Sequence, residues 1–451
     1  MSAVTYRVEG TTAHITVNDT SWGLDTHLGI LDGLARASVD RTVIAVLVGS
    51  AGPDFGAGPT APTDPAELKT LLDAIARVPV AIRTGGKTVV ASVKGRCRGA
   101  ANQFQMMCDL TVAAESAVFA VDIAHGAEPM ALIGGQFLPR IVGEKKAREM
   151  VFLGRDHGPS DHKAFVNTVV AESELEAASL ALCEEIARLS PTSLRMVKAS
   201  ISFNTDLLFS SIWQAVDYAV LAAIEKAPIP EGEAPAPALA PLPERFQSLE
   251  YTVGEGFAIA RLVDGSAPAA LDELLAVLRH ADSDPDIKSL VLRVGPGCGW
   301  QAGTKGWMAA LVTLRNIAMP TIVVLEGEST ATATELAVVA DLVVAADGAT
   351  IGMAAGRPPA WGSQLLAGAV RERQARRMGL LGTTLSADEA KAAGLVNWVV
   401  DDTGLDGFVA DLTAEIAGLD QLGIQVAKSV LNYGGNMAYP TILSVAEQAR
   451  S

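Results

Sequence analysis

The chain repeats a long segment of itself, and this repeat restricts its possible folds more than any other feature. The stretch KTVVASVKGRCRGAANQFQMMCDLTVAAE, residues 87–115, matches MPTIVVLEGESTATATELAVVADLVVAAD, residues 319–347, without a gap. Four positions of the first half correspond to positions of the second: Gly95 to Gly327, Asp109 to Asp341, Phe152 to Leu380, and Lys198 to Lys428. Similarity in the same order along both halves indicates a duplicated structural unit, so we predict two related domains.

Both halves show the same order of predicted elements. Short apolar runs rich in β-branched residues, such as 42–49 and 287–295, alternate with amphipathic helices, and each half ends in a helical tail. Near-continuous apolar strands alternating with helices predict an α/β fold in which helices cover a sheet. The Pro- and Ala-rich stretch between the halves is typical of an extended spacer. We predict a first domain over 1–227, a linker over 228–243 and a second domain over 244–451.

Composition excludes several classes of function. Hydrophobic residues make up 49% of the 451 residues and charged residues 19%, so a large core is expected. The formal net charge of −16 argues against nucleic acid or an anionic membrane as a partner. The four cysteines form no C-x-x-C pair, which favours free thiols in a reducing compartment. Neither a signal peptide nor a membrane span is predicted, and we expect a cytoplasmic protein.

Two motifs resemble a known family. The segment VKGRCRGAANQFQMMCDL, residues 93–110, is similar to the crotonase pattern of a strand, a glycine turn and a helix ending in Cys-Asp. The segment LSADEAKAAGLVNWVV, residues 385–400, resembles a distal motif of that family. The chain is therefore identified as a member of the crotonase (enoyl-CoA hydratase/isomerase) superfamily. The resemblance implies two tandem crotonase-like domains, each a spiral of ββα repeats with a C-terminal helical tail.

The resemblance also implies an oxyanion hole in each half. In this family two backbone N–H groups polarise a thioester carbonyl and stabilise the enolate oxygen. The corresponding positions are Ala57 and Ala100 in the first half, and Ala302 and Thr332 in the second. Such donors, aimed at developing negative charge, can each contribute about 3 kcal/mol. The alternative for both halves is a tight turn retained for packing.

The catalytic carboxylates of the family are mostly missing. The first of its two glutamates corresponds to Gln103 in the first half and to Glu335 in the second, while the other corresponds to Ile123 and Ala355. Paired carboxylates add or remove water because one acts as base while the other supplies a proton. Only the second half therefore retains one of them.

Three side chains remain as candidate catalytic groups. Glu335 lies in a segment otherwise typical of a buried helix, where an isolated glutamate is uncommon without a partner or a task. It is a candidate base, or alternatively a structural carboxylate paired with a group such as Arg357. Gln103 can orient a water but is no base at neutral pH. His125 can titrate near neutrality, or can be an ordinary loop histidine.

Binding of the substrate's carrier group is less well specified. Family members hold the CoA phosphates with basic residues after the first strand, but residues 17–25 and 262–271 contain no lysine or arginine. Lys94 and Lys305 are possible substitutes, or surface charges. No separate cofactor and no metal are predicted; coenzyme A or carrier-bound pantetheine would enter as part of the substrate, acyl-CoA or acyl carrier protein.

Three hypotheses about function follow. The first is an acyl-thioester enzyme working through an enolate, by hydration, dehydration or a double-bond shift in specialised biosynthesis, with catalysis in the second half. The second is a non-catalytic scaffold. The third is a decarboxylase or hydrolase that uses the first half and needs no carboxylate pair. The resemblance further implies a homo-oligomer, and we predict a trimer of fused chains.

Overall fold

The computed structural model divides the chain into two compact units. One unit comprises Met1–Phe137 with Gly154–Ile229, and the other comprises Leu138–Leu153 with Pro230–Ser451. The structure describes residues 2–56, 62, 64–121, 138–139, 141–162, 164–206, 239–264, 269–295, 306–330, 332–353, 366, 369–370 and 372–436. Most of the predicted linker lies outside these residues, and the predicted domain boundaries stay predictions.

The first half of the described chain alternates strands and helices. Its strands are β1 (Val4–Glu9), β2 (Thr12–Val17), β3 (Ala45–Ser50), β4 (Thr88–Val93), β5 (Arg96–Arg98), β6 (Leu110–Ala114), β7 (Val118–Ala120) and β8 (Thr168–Val170). Its helices are α1 (Leu24–Val39), α2 (Pro65–Thr84), α3 (Gly99–Met107), α4 (Glu144–Leu153), α5 (Leu175–Ala187) and α6 (Pro191–Asp206).

The second half follows the same order. Its strands are β9 (Leu249–Gly254), β10 (Phe257–Leu262), β11 (Ser289–Val294), β12 (Thr321–Leu325), β13 (Glu328–Thr330), β14 (Leu342–Ala346), β15 (Thr350–Gly352), β16 (Thr384–Ser386) and β17 (Trp398–Val400). Its helices are α7 (Ala270–Ser283), α8 (Trp307–Asn316), α9 (Thr332–Val339), α10 (Glu372–Leu381), α11 (Ala387–Ala393), α12 (Leu405–Ala417) and α13 (Gln421–Asn436). Within the described chain, none of the helices combines the length and apolarity that crossing a membrane requires.

Each unit is built on a six-stranded sheet, and the two sheets have the same topology. The order is β1-β2-β3-β4-β6-β8 in the first unit and β9-β10-β11-β12-β14-β17 in the second. The opening pair of each sheet is antiparallel and every other pairing is parallel. The central strands β12 and β14 are buried along their whole length, as expected for parallel strands with both faces covered. The predicted α/β class and duplication are confirmed.

A glycine in the left-handed region turns the chain after the central strand of each unit. Gly95 has a φ of 56° and Gly327 a φ of 60°, and the repeat aligns these two residues. A Cβ atom at Gly95 would also lie 2.4 Å from the Pro53 carbonyl oxygen. Only glycine meets both conditions without strain, and the turn leads through the short strand β5 or β13 to α3 or α9.

A lysine–aspartate pair joins the tail helix of each unit to its sheet. In the first unit Lys198 Nζ donates to Asp109 Oδ2 at 2.6 Å and to the Lys87 carbonyl at 2.7 Å. In the second, Lys428 Nζ donates to Asp341 Oδ2 at 2.6 Å and to the Met319 carbonyl at 2.8 Å. Asp109 and Asp341 each also accept the N–H of a residue at the start of the neighbouring strand. The structure therefore reproduces the aligned positions as equivalent contacts.

Helix α4 belongs to the second unit although its sequence lies within the first half. It packs against α12, α13 and β14 of that unit. Lys145 Nζ donates to the carbonyls of Val338 and Ala340, where α9 ends. These carbonyls lack helical donors, so Lys145 caps the helix as well as neutralising its negative end.

Buried charges hold α4 in place. Arg148 is fully buried and donates to Asp341 Oδ1, to Glu144 Oε1 at 2.8 Å and to Asn432 Oδ1 at 2.7 Å. Burial lowers the pKa of Lys145 to about 7. Burial also acts to raise the pKa of Asp341, but the adjacent Lys428 and Arg148 outweigh it and lower that pKa. The carboxylate of Asp341 is thus ionised between two cations.

Removing Arg148 should destabilise the protein strongly. The Arg148→Ala variant leaves Asp341 and Glu144 buried with less compensating charge, and we expect a loss of about 3–5 kcal/mol in the free energy of unfolding. Lys146→Ala is the control, because that lysine pairs with Glu149 at the partly exposed face of the same helix and should cost about 0–1 kcal/mol. Urea denaturation of the full chain measures both, and equal losses would contradict the prediction.

Candidate functional site

The first unit presents backbone donors at the start of α3. Arg98 has an extended backbone, Gly99 has a φ of 51°, and the helix runs from that glycine. Ala100 is buried in the first turn, where N–H groups have no acceptor within the helix. The positive end of the helix dipole adds to their attraction for negative charge.

The loop that was predicted to supply the other donor is fixed against this turn. Gly56 N–H donates to the Arg96 carbonyl at 3.0 Å, and Arg98 N–H donates back to the Gly56 carbonyl at 2.9 Å. Trp22 Nε1 donates to the Phe55 carbonyl at 3.0 Å in the buried interior. A Cβ atom on Gly56 would lie 2.0 Å from that indole nitrogen, so the close approach requires glycine. Ala57 follows directly but lies outside the described residues.

A small cavity adjoins the first turns of α3. It lies between α1, α2 and α3, and its lining consists of His27, Ile75, Val78, Pro79, Ala100, Gln103, Phe104 and Met107. The centre of a water molecule can occupy a volume of about 10 Å³ inside it. That space is on the scale of one bound water and is too small for an acyl chain without movement of the lining. We call it the inner cavity.

His27 brings a neutral imidazole to the inner cavity. Its Nδ1 lies 2.8 Å from the Gly23 carbonyl oxygen, which can only accept, so Nδ1 carries the hydrogen and Nε2 keeps its lone pair. The ring packs edge-to-face on Trp22, with 5.8 Å between centroids. Burial lowers the pKa of His27 to about 4, partly offset by the bond to Gly23. The inner cavity therefore contains an acceptor nitrogen that stays uncharged at neutral pH.

Helix α2 has an internal proline next to the same space. Pro79 lies inside this helix and has no N–H to donate to the Ile75 carbonyl, four residues earlier. Both residues line the inner cavity. His27, Gln103 and the first turn of α3 supply polar groups to the cavity lining, and an ordered water needs two to four such partners.

A larger groove lies on the other side of the first turn of α1. Its lining consists of Ser21, Gly23, Leu24, Pro62, Glu67, Thr70 and Leu71, and its volume is about 550 Å³. Pockets of this size accommodate ligands larger than a water. Among the described residues that line it there is one acid, Glu67, and neither lysine nor arginine. This agrees with the missing basic residues after the first strand.

The second unit holds a carboxylate at the equivalent helix. Thr332 is the first residue of α9, and Glu335 lies one turn further on; both are fully buried. Trp307, at the start of α8, donates its indole N–H to Glu335 Oε2. Because an indole nitrogen can only donate, this bond holds Oε2 as an acceptor and fixes the direction of the carboxylate.

The structure brings together some of the predicted site residues. Ala100 and Gln103 line one cavity, and Thr332 and Glu335 lie on one buried helix turn. Lys94 is half-buried between β4 and β5. The other predicted residues lie outside the described part of the chain: Ala57, His125 and Ala302, with the second carboxylate positions Ile123 and Ala355 and the candidate partners Arg357 and Lys305. The roles of all these residues stay predictions.

Two functional candidates were missed by the sequence analysis. His27 shares the buried face of α1 with Ile30, Leu34 and Ala37, at helical spacing, and this periodicity could have shown that the histidine points inward. Trp307 carried no comparable signal. A tryptophan at a helix start is compatible with packing alone, and its bond to Glu335 depends on how two distant segments meet.

Comparison with known proteins identifies relatives for both halves. A family model described as "Enoyl-CoA hydratase/isomerase" matches residues 21–216 and 297–449. Among solved structures, a probable enoyl-CoA hydratase from Mycobacterium smegmatis is 24% identical, with coverage of 50% of this chain and 98% of that one, and a TM-score of 0.44. DspI from Pseudomonas aeruginosa is 26% identical, with coverage of 50% and 95% and a TM-score of 0.43. An enoyl-CoA hydratase from Bacillus anthracis is 22% identical, with coverage of 50% and 92% and a TM-score of 0.43.

The burial of His27 should make stability depend on pH. In the unfolded chain a histidine takes up a proton below about pH 6.5, whereas folded His27 stays neutral down to about pH 4. The unfolded state binds more protons in this window, so stability falls with decreasing pH, by up to about 3 kcal/mol. In His27→Leu this part of the slope should vanish. Urea denaturation between pH 7 and 4 measures the dependence of stability on pH. The control is His280→Leu, at a half-buried histidine of the second unit. An unchanged dependence of stability on pH in His27→Leu would contradict the burial of a neutral His27.

Proposed function

The chain belongs to the enoyl-CoA hydratase/isomerase family, and we propose that it is an enzyme acting on an acyl thioester through an enolate. The family model covers most of the chain in two segments, one in each half. The observation that carries the proposal is the fully buried Glu335 on the first turns of α9, with Oε2 held by the Trp307 indole. A carboxylate in this position is a base aimed from a fixed direction.

The proposed chemistry follows from charge movement. Glu335 removes a proton from the carbon next to the thioester carbonyl, and negative charge develops on the carbonyl oxygen. Thr332 N–H, at the positive end of α9, is suited to stabilise that oxygen, with the Ala302 N–H as the proposed second donor. Loss of the enolate by protonation elsewhere gives a double-bond shift, and loss of a β-substituent gives dehydration. In both outcomes Glu335 is the sole acid–base group, and in dehydration the proton that it removes passes to the leaving oxygen, so that water is released.

The substrate is proposed to be a short acyl group on coenzyme A or on carrier-bound pantetheine. The groove beside α1 would take a carrier arm only for a reaction in the first unit, and its described lining offers no cation for phosphates. A specialised biosynthetic step fits a site that has lost one of the two family carboxylates better than a general hydratase does. In the first unit, Gln103 in place of the glutamate removes the enolate base.

A second candidate function is favoured by the inner cavity. It has room for a water beside Gln103 and Ala100 and contains no carboxylate among its described lining residues. This supports carboxylate-independent chemistry in the first unit, such as hydrolysis of a thioester. Under the scaffold hypothesis, Glu335 would instead be a structural carboxylate paired with Trp307.

Hydrogen exchange tests the enolate step independently of the final product. In D₂O with short acyl-CoA and acyl-pantetheine thioesters, the wild-type protein should introduce deuterium next to the carbonyl, as measured by mass spectrometry. Glu335→Gln should lower the rate at least about 100-fold, because it removes the base. Trp307→Phe should lower it by about 10-fold, since the carboxylate remains but loses its anchor.

The control for this experiment is Glu328→Gln, at an exposed glutamate seven residues before Glu335, which should leave exchange unchanged. Loss of exchange in Gln103→Ala but not in Glu335→Gln would move the chemistry to the first unit. No exchange with any thioester would overturn the proposal and favour the scaffold.

A further inference from the structure

We propose that the first unit carries a second, thioester-hydrolysing site in which His27 Nε2 accepts a hydrogen bond from the attacking water. The inference rests on the proposed function only in taking an acyl thioester as substrate. It is carried by one arrangement: a buried imidazole with Nδ1–H committed to Gly23, an unprotonated nitrogen on the other side, and a water-sized cavity shared with Gln103 and Ala100.

The geometry selects water over a larger ligand. The inner cavity has about 10 Å³, and the polar groups of its lining come from His27, Gln103 and the first turn of α3. The remaining lining residues are apolar: Ile75, Val78, Pro79, Phe104 and Met107. An acyl carbonyl reaching the first turn of α3 from the mouth of the cavity would lie next to that water.

The step balances without any further reactant. The water oxygen forms a bond to the carbonyl carbon while one of its protons passes to His27 Nε2. Negative charge develops on the carbonyl oxygen and is stabilised by the Ala100 N–H, with the Ala57 N–H as the predicted second donor. The carbon–sulfur bond then breaks, and the proton held by His27 goes to the leaving thiolate. The products are a carboxylic acid and a free thiol.

Because His27 is uncharged, it can accept a proton from the attacking water over a wide pH range. Burial holds the pKa of His27 at about 4, and the cavity lining in the described chain contains no charged side chain that would shift it further. The nitrogen is therefore available well below neutral pH, although a weakly basic imidazole limits the maximal rate. A solvent-exposed histidine base would instead lose activity below about pH 6.5.

Thiol release measures this site separately from enolate exchange. The full chain is incubated with acetyl-CoA and acetyl-pantetheine, and free thiol is followed with a chromogenic thiol reagent. His27→Asn keeps an N–H for Gly23 but removes Nε2, and we expect thiol release to fall about 100-fold or more. His27→Gln places an amide near the position of Nε2 without a base, and should show a similar loss. His280→Asn is the matched control and should keep the wild-type rate.

The outcomes separate this inference from the proposed function. Glu335→Gln should abolish deuterium exchange while thiol release continues, and His27→Asn should do the reverse. The wild-type rate of thiol release should be flat from about pH 5 to about pH 8, because His27 stays unprotonated above about pH 4. Wild-type thiol release in a folded His27→Asn variant, or none from the wild-type protein, would overturn the proposal.

Discussion

The lysine–aspartate pair in each unit fixes the helix on which the proposed chemistry depends. Helices α3 and α9 begin at the backbone donors and end next to Asp109 and Asp341. Each of these carboxylates accepts from a lysine of the tail helix and from a strand N–H, so it ties helix, sheet and tail to one point. With the far end of the helix held by buried, charge-assisted hydrogen bonds, the first turn cannot rotate freely. The direction of its N–H groups is set by contacts about two turns away.

The sequence predicted the architecture because the information for it is local and repeated. The gapless match between two segments predicts that Gly95 is structurally equivalent to Gly327, and Asp109 to Asp341. The structure shows equivalent turns at the glycines and equivalent ion pairs at the aspartates. Apolar strands between amphipathic helices predict a covered sheet for the same reason. These inferences need no knowledge of which distant segments meet.

The site could be predicted only in part, because it depends on contacts between residues that are distant in the sequence. Gln103 and Glu335 follow from counting along one helix, but His27 reaches the inner cavity from α1, and Trp307 reaches Glu335 from α8. Likewise, the amphipathic pattern of α4 indicates that one face is buried but not against what. Its contacts with α12, α13 and β14 depend on Lys145 and Arg148 finding carbonyls and a carboxylate nearly two hundred residues away.

The two halves have diverged where their chemistry would differ and have kept what holds them in shape. Both retain the turn glycine, the lysine–aspartate pair and a buried helix start, which together hold the helix in position. At the third position after Ala100 or Thr332, one unit has an uncharged amide beside a neutral imidazole, and the other has a carboxylate fixed by an indole. A neutral pair can hold a water in a dry cavity without a counter-charge, whereas a buried carboxylate requires a fixed donor to offset its lost hydration. Each unit thus stabilises its own buried polar group through different neighbouring residues. Two separate sites with different chemistry are therefore compatible with one chain.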